Sequence, residues 1–85
     1  MLLIFLEVLD TNLKGSFVAC QEMAKHLVSL GKPGKIINVG SMTSFIGMYG
    51  VAPYAASKGG VLQMTKAFSN ELAEKGIQVN CICPG

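Results

Sequence analysis

Arginine and tryptophan are missing from the 85 residues, and charge of either sign is sparse. Seven lysines, scattered from Lys14 to Lys75 without forming a block, leave the net charge at +2. A chain with no basic cluster lacks the electrostatic footprint of a nucleic-acid binder. Long apolar runs are also missing: none approaches the ~18 residues that a membrane span needs. The opening MLLIFLEVL is interrupted by Glu7, with no basic region before it and no small-residue cleavage site after it, so it does not read as a signal sequence. These absences predict a soluble, cytoplasmic protein with neither nucleic acid nor membrane as partner. Histidine occurs once, at His26, and the cysteines Cys20, Cys81 and Cys83 make an odd count, which predicts reduced thiols. Cys81 and Cys83 alternate along an apparent strand and so share one face. They read either as small buried apolar residues or as metal ligands, and His26 is too far away in sequence to favour the second.

Apolar residues are abundant, at 51% of the chain, with a mean hydropathy of +0.48. That excludes disorder and predicts elements buried on more than one side, within at most one small domain. From about Phe5 to Leu30, Leu9, Leu13, Phe17, Cys20, Ala24 and Leu27 recur every three or four residues, the period of one helix face, with Gly31 as the stop. KPGKIINV then gives a turn and a short β-branched run, which predicts a buried strand, and GSMTSFIGMYGVA predicts a loop. Pro53 suits the first turn of a second helix, along which Tyr54, Lys58, Val61, Met64, Phe68 and Leu72 fall at helical spacing. Glu71 and Lys75 are placed to pair four residues apart, with Gly76 as the stop. GIQVNCICPG closes the chain as a second strand. Two strands joined by a helical crossover are expected to be parallel neighbours in an α/β sheet. Two strands and two helices cannot cover a parallel sheet on both faces, so the expected unit is a helix–strand–helix–strand slice of a domain truncated at both ends.

Ligands of open α/β sheets sit beyond the carboxyl ends of the strands, where Ser41 lies. Tyr54 and Lys58 share a helical face, and a lysine ammonium beside a phenol favours the phenolate, which makes the hydroxyl usable as acid or base. The alternative is two polar residues that merely share an amphipathic face. Gly59 and Gly60 sit inside the helix, where each costs about 1 kcal/mol relative to alanine, so a close approach to the backbone is expected there. Ser41, thirteen residues before Tyr54, supplies a hydroxyl suited to holding a carbonyl oxygen. Asn38 and Asn80, near the middle of the strands, read as structural, bonding to backbone or loops.

NLKGSF, GKIINVGS, PYAASKGGV and ELAEKGIQVNCICPG together closely resemble the short-chain dehydrogenase/reductase family, in its order and spacing, from Asp10 onward. The resemblance implies a partial Rossmann-like, doubly wound parallel sheet, with residues 1–85 as the central to C-terminal part of one NAD(P)-binding domain. It implies a catalytic set of Asn12, Ser41, Tyr54 and Lys58. Tyr54 would exchange the substrate proton and Ser41 hold the same oxygen. Lys58 would favour the phenolate and bind the cofactor ribose, and Asn12 would hold a water linking Lys58 to solvent. Cofactor contacts are implied at Tyr54, Lys58, Pro84 and Gly85, the cofactor being NAD or NADP, and the parent is expected to be a dimer or tetramer built on its two long helices. The family's Gly-rich phosphate turn has no counterpart among these glycines. SMTS with the segments around it most resembles the gluconate and sugar-acid dehydrogenases, and 3-oxoacyl reductases share much of the pattern. A secondary alcohol or ketone is the implied substrate. Against this enzyme stand a non-catalytic fragment that associates through its helices, and an incomplete reading of a longer protein.

Overall fold

The computed structural model describes residues 2–44 and 51–84. A right-handed helical rod opens the chain as α1 (Leu2–Val8), passes through a π-helical segment (Leu9–Lys14) and continues as α2 (Gly15–Leu30). In the widened turn the Gly15 N–H donates to Asp10 C=O, an i to i−5 bond. The helix therefore begins before Phe5 and runs to the expected stop, where Gly31 takes a left-handed φ of 63° and donates to Leu27 and Val28 C=O. Strand β1 (Gly34–Val39) follows, then a short 3₁₀ turn (Met42–Ser44), helix α3 (Ala52–Leu72) and strand β2 (Ile77–Ile82). Residues 45–50 of the expected loop lie outside the described residues.

The strands are parallel, with Gly34 opposite Ile77 and Val39 opposite Ile82. Ile36 and Asn38 of β1 and Ile77, Val79 and Cys81 of β2 turn toward the helices, and α3 lies over β2. The core is small: Cys20, Ile77 and Val79 are buried together, with Leu27, Ile36, Phe68 and Leu72 packed around them. Val61 is also fully enclosed, and burying a side chain of that size contributes about 1.5–3 kcal/mol. The opposite sheet face is bare, leaving Ile37, Val39 and Ile82 half or more exposed.

Three expectations are corrected. Helix α3 tightens to a 3₁₀ turn over Ala73–Lys75, which swings Lys75 off the line of Glu71. Among the described residues the ion pair formed is instead Lys25 with Glu22, at 3.8 Å. Among the described residues the Asn38 side chain bonds to α3 rather than to backbone or loop: its Nδ2 donates to Thr65 Oγ1 at 3.0 Å, and Thr65 Oγ1 donates to Val61 C=O. Gly60, rather than both glycines, marks the close approach. A Cβ there would meet Leu13 Cδ2 at 2.8 Å, whereas at Gly59 it would find only ordinary contact. What approaches Gly60 is the first helix, which explains why this helix tolerates its weakest helix former short of proline.

Candidate active site

Lys58 extends back from α3 to the carboxyl end of β1, where its Nζ donates to Val39 C=O at 3.1 Å. On the way it passes 5.7 Å from the centre of the Tyr54 ring, within the range of a cation–π contact. Tyr54 itself is 39% exposed, so its side chain is open to solvent. The four-residue spacing has thus placed cation and phenol together, as the helix period requires.

Ser41 follows β1 by two residues. Its Oγ accepts from Thr43 N–H at 3.3 Å and its N–H donates to Ser44 Oγ at 3.1 Å. Ser44 Oγ donates in turn to Lys58 C=O at 2.8 Å, so one hydroxyl fastens the serine turn to the helix bearing Tyr54 and Lys58. Among the described residues no hydrogen bond joins Ser41 directly to Tyr54. The turn is also tied to β2: Gly40 N–H donates to Ile82 C=O at 2.7 Å and Met42 N–H to Pro84 C=O at 3.0 Å.

Asn12 lies in the π segment, where the widened turn carries its side chain toward α3. Its Nδ2 donates to Ser57 Oγ at 3.2 Å, and Ser57 Oγ donates to Tyr54 C=O at 2.7 Å. Asn12 therefore reaches the helix bearing the Tyr–Lys pair through Ser57, a residue buried completely and missed in the sequence. Its signal was its position four residues before Val61, on the buried stripe continued by Thr65. Ser44 was missed too, although the Ser41–Ser44 spacing suits a turn closed by its own hydroxyls. Pro84 is exposed and contributes its carbonyl; Gly85 lies outside the described residues.

Beside this cluster, Cys81 and Cys83 meet at 3.9 Å, the shared face that their alternation predicted. Burial pushes the Cys81 thiol up from its ordinary value, and the neighbouring Cys83 pushes it the same way. Burial likewise raises Cys20, with the Asn38 side chain opposing it.

Residues 4–85 match the family model described as short chain dehydrogenase. The chain belongs to the short-chain dehydrogenase family. It is 46% identical over 79 residues to 2-dehydro-3-deoxy-D-gluconate 5-dehydrogenase of Escherichia coli, covering 93% of this chain and 31% of that enzyme. Among solved structures it resembles 4-hydroxyisoleucine dehydrogenase complexed with NADH and succinate: TM-score 0.93, 33% identity, 95% of this chain and 38% of that one. It also resembles a protein from Agrobacterium tumefaciens provisionally named 2-deoxy-D-gluconate 3-dehydrogenase, with bound NADP: TM-score 0.87, 47% identity, 89% of this chain and 31% of that one. This short-chain dehydrogenase chain thus spans about a third of the relatives it matches, with the helix–strand–helix–strand order and parallel pairing of their Rossmann-type sheet.

Proposed function

We propose that these residues are the catalytic segment of an NAD(P)-dependent oxidoreductase that interconverts a secondary alcohol and a ketone, with a sugar acid such as gluconate as the substrate class. The observation that carries this reading is the meeting of Tyr54, Lys58 and the Ser41 turn at the carboxyl ends of two parallel strands. The identity to a gluconate-type dehydrogenase supports the substrate class.

In this reading the Tyr54 phenol exchanges a proton with the substrate oxygen, and the Lys58 ammonium lies over its ring. Ser41 Oγ donates to the same oxygen, meeting charge as it develops with a donor already in place. Asn12 holds its segment of helix against Ser57 and supports the water link to Lys58. Lys58, Tyr54, Pro84 and Gly85 are the contacts proposed for the cofactor. The donor set fits a ribose diol: an ammonium has three N–H donors, and Val39 C=O takes one. When bound, a nicotinamide supplies or accepts the hydride at the carbon bearing the substrate oxygen. The bare face at Ile37, Val39 and Ile82 is why we assign these residues to a domain larger than 85 residues.

A second reading is favoured by the apolar groove between α2 and α3, about 590 Å³, lined by Leu13, Phe17, Met64 and Phe68. Phe17 is exposed there and tilts against Phe68 with ring centres 5.4 Å apart. A fragment carrying this groove would associate through its helices without catalysis, and in the intact parent the same surface would build a dimer or tetramer. Assay of the protein with NAD⁺ and NADP⁺ against gluconate-type alcohols decides between them. Saturable cofactor binding with turnover supports the enzyme; self-association with neither supports the second reading.

A further inference from the structure

Two thiols that the proposed chemistry leaves unused face each other at the carboxyl end of β2. The Cys81 and Cys83 sulfurs are 3.9 Å apart and half-buried, and Gly40 lies against both: a Cβ there would stand 3.0 Å from each sulfur. Glycine at that position is what leaves the pair its space. Cys20 is buried in the core cluster with Ile77 and Val79.

We infer that Cys81 and Cys83 are a redox modification site, closed by peroxide into an intramolecular disulfide that loosens the turn carrying Ser41. The chemistry balances with hydrogen peroxide as oxidant. One thiolate attacks the peroxide, forming an S–O bond as the O–O bond breaks, and a first water leaves. The second thiol then attacks the sulfenic sulfur, forming the S–S bond as the S–O bond breaks and a second water departs with the remaining proton. Two thiols are oxidised and one peroxide is reduced to two waters. Burial and the adjacent sulfur favour the protonated form of Cys81, so its proton leaves as its sulfur attacks and departs with the second water.

The mechanical consequence follows from the strand. Two steps of extended chain separate Cα atoms by about 6.6 Å, inside the roughly 4.4–6.8 Å that disulfides span but longer than the roughly 5.5–6 Å that most of them adopt. Closing the sulfurs to a bond of about 2.0 Å therefore draws the 81–83 backbone together. Ile82 C=O within that segment and Pro84 C=O just beyond it hold the N–H groups of Gly40 and Met42, and Ser41 stands between those two anchors. Contraction strains both bonds.

The test needs no turnover, so its failure is separable from failure of the catalytic reading. The reduced protein is exposed to hydrogen peroxide, remaining thiols are alkylated under denaturing conditions, and the mass and peptides are analysed; amide exchange is followed in parallel. The expected result is a loss of two hydrogens, Cys81 and Cys83 joined in one peptide and Cys20 alkylated, with full reversal by dithiothreitol. Exchange at the Gly40 and Met42 amides should then quicken about tenfold. Cys83→Ser should prevent the disulfide and Cys20→Ser should not. Alkylation of all three cysteines after peroxide, a bridge involving Cys20 or a second molecule, or unchanged exchange at Gly40 and Met42 would each overturn the inference.

Discussion

Asn12 and Ser57, 45 residues apart in sequence, share a hydrogen bond of 3.2 Å that joins the π segment of the first helix to α3. Ser57 passes the tie on to Tyr54 C=O at 2.7 Å. Ser57→Ala removes the partner of the half-buried Asn12 amide, and losing one such hydrogen bond costs about 0.5–1.5 kcal/mol. Denaturant unfolding should show that loss, and Asn12→Ala in the same background should add little to it, since the two changes remove one interaction. Additive losses would mean that the residues act separately.

Tyr54→Phe removes the phenolic proton and keeps the ring beside Lys58. On the proposed function, turnover of the intact parent should fall by about 10²-fold to 10⁴-fold, the usual contribution of a positioned acid or base, while cofactor affinity by fluorescence titration stays largely intact. Near-normal turnover would remove Tyr54 from its role.

Gly60→Ala sets a gain against a clash. Alanine is worth about 1 kcal/mol over glycine in a helix interior, but its Cβ would press Leu13 Cδ2 at 2.8 Å, and overpacking costs about 1–3 kcal/mol. The substitution should destabilise the protein by about 1 kcal/mol. With Leu13→Ala already present it should become stabilising, and a four-variant unfolding cycle reads the change of sign.

Cys20 and Cys81 both hold their protons more tightly in the folded chain than the ordinary thiol value of 9.0. The folded state thus binds more protons than the unfolded one once pH passes that value. This contribution to stability is complete below about pH 9 and is lost as pH rises above it. Comparing unfolding midpoints at about pH 8 and about pH 10 should show a smaller drop for the variant carrying Cys20→Ala and Cys81→Ala than for the parent.

Much of this was legible in the residues because it depends on local period. Gly31 and Gly76 ended their helical segments with left-handed φ as a stop requires, and Tyr54 and Lys58 met because four residues make about one turn. Ser57 and Thr65 stayed hidden because a hydroxyl in the core carries no apolar signal; its partner, Asn12 or Asn38, comes from another element. The π segment escaped for a related reason. Leu9, Leu13 and Phe17 keep a spacing that an ordinary helix also accepts, so the widened turn shows only in backbone bonding.

The register of the sheet has a bearing on how the chain is made. Each β1 residue pairs with one 43 positions later, as Gly34 does with Ile77. At a synthesis rate of roughly 5–20 residues per second, β1 waits about 2–9 s outside the ribosome before its partner is available. Through that interval the side of β1 that β2 later fills lacks its partner, and an open strand edge carrying Ile36, Ile37 and Val39 is the kind of segment that chaperones shield.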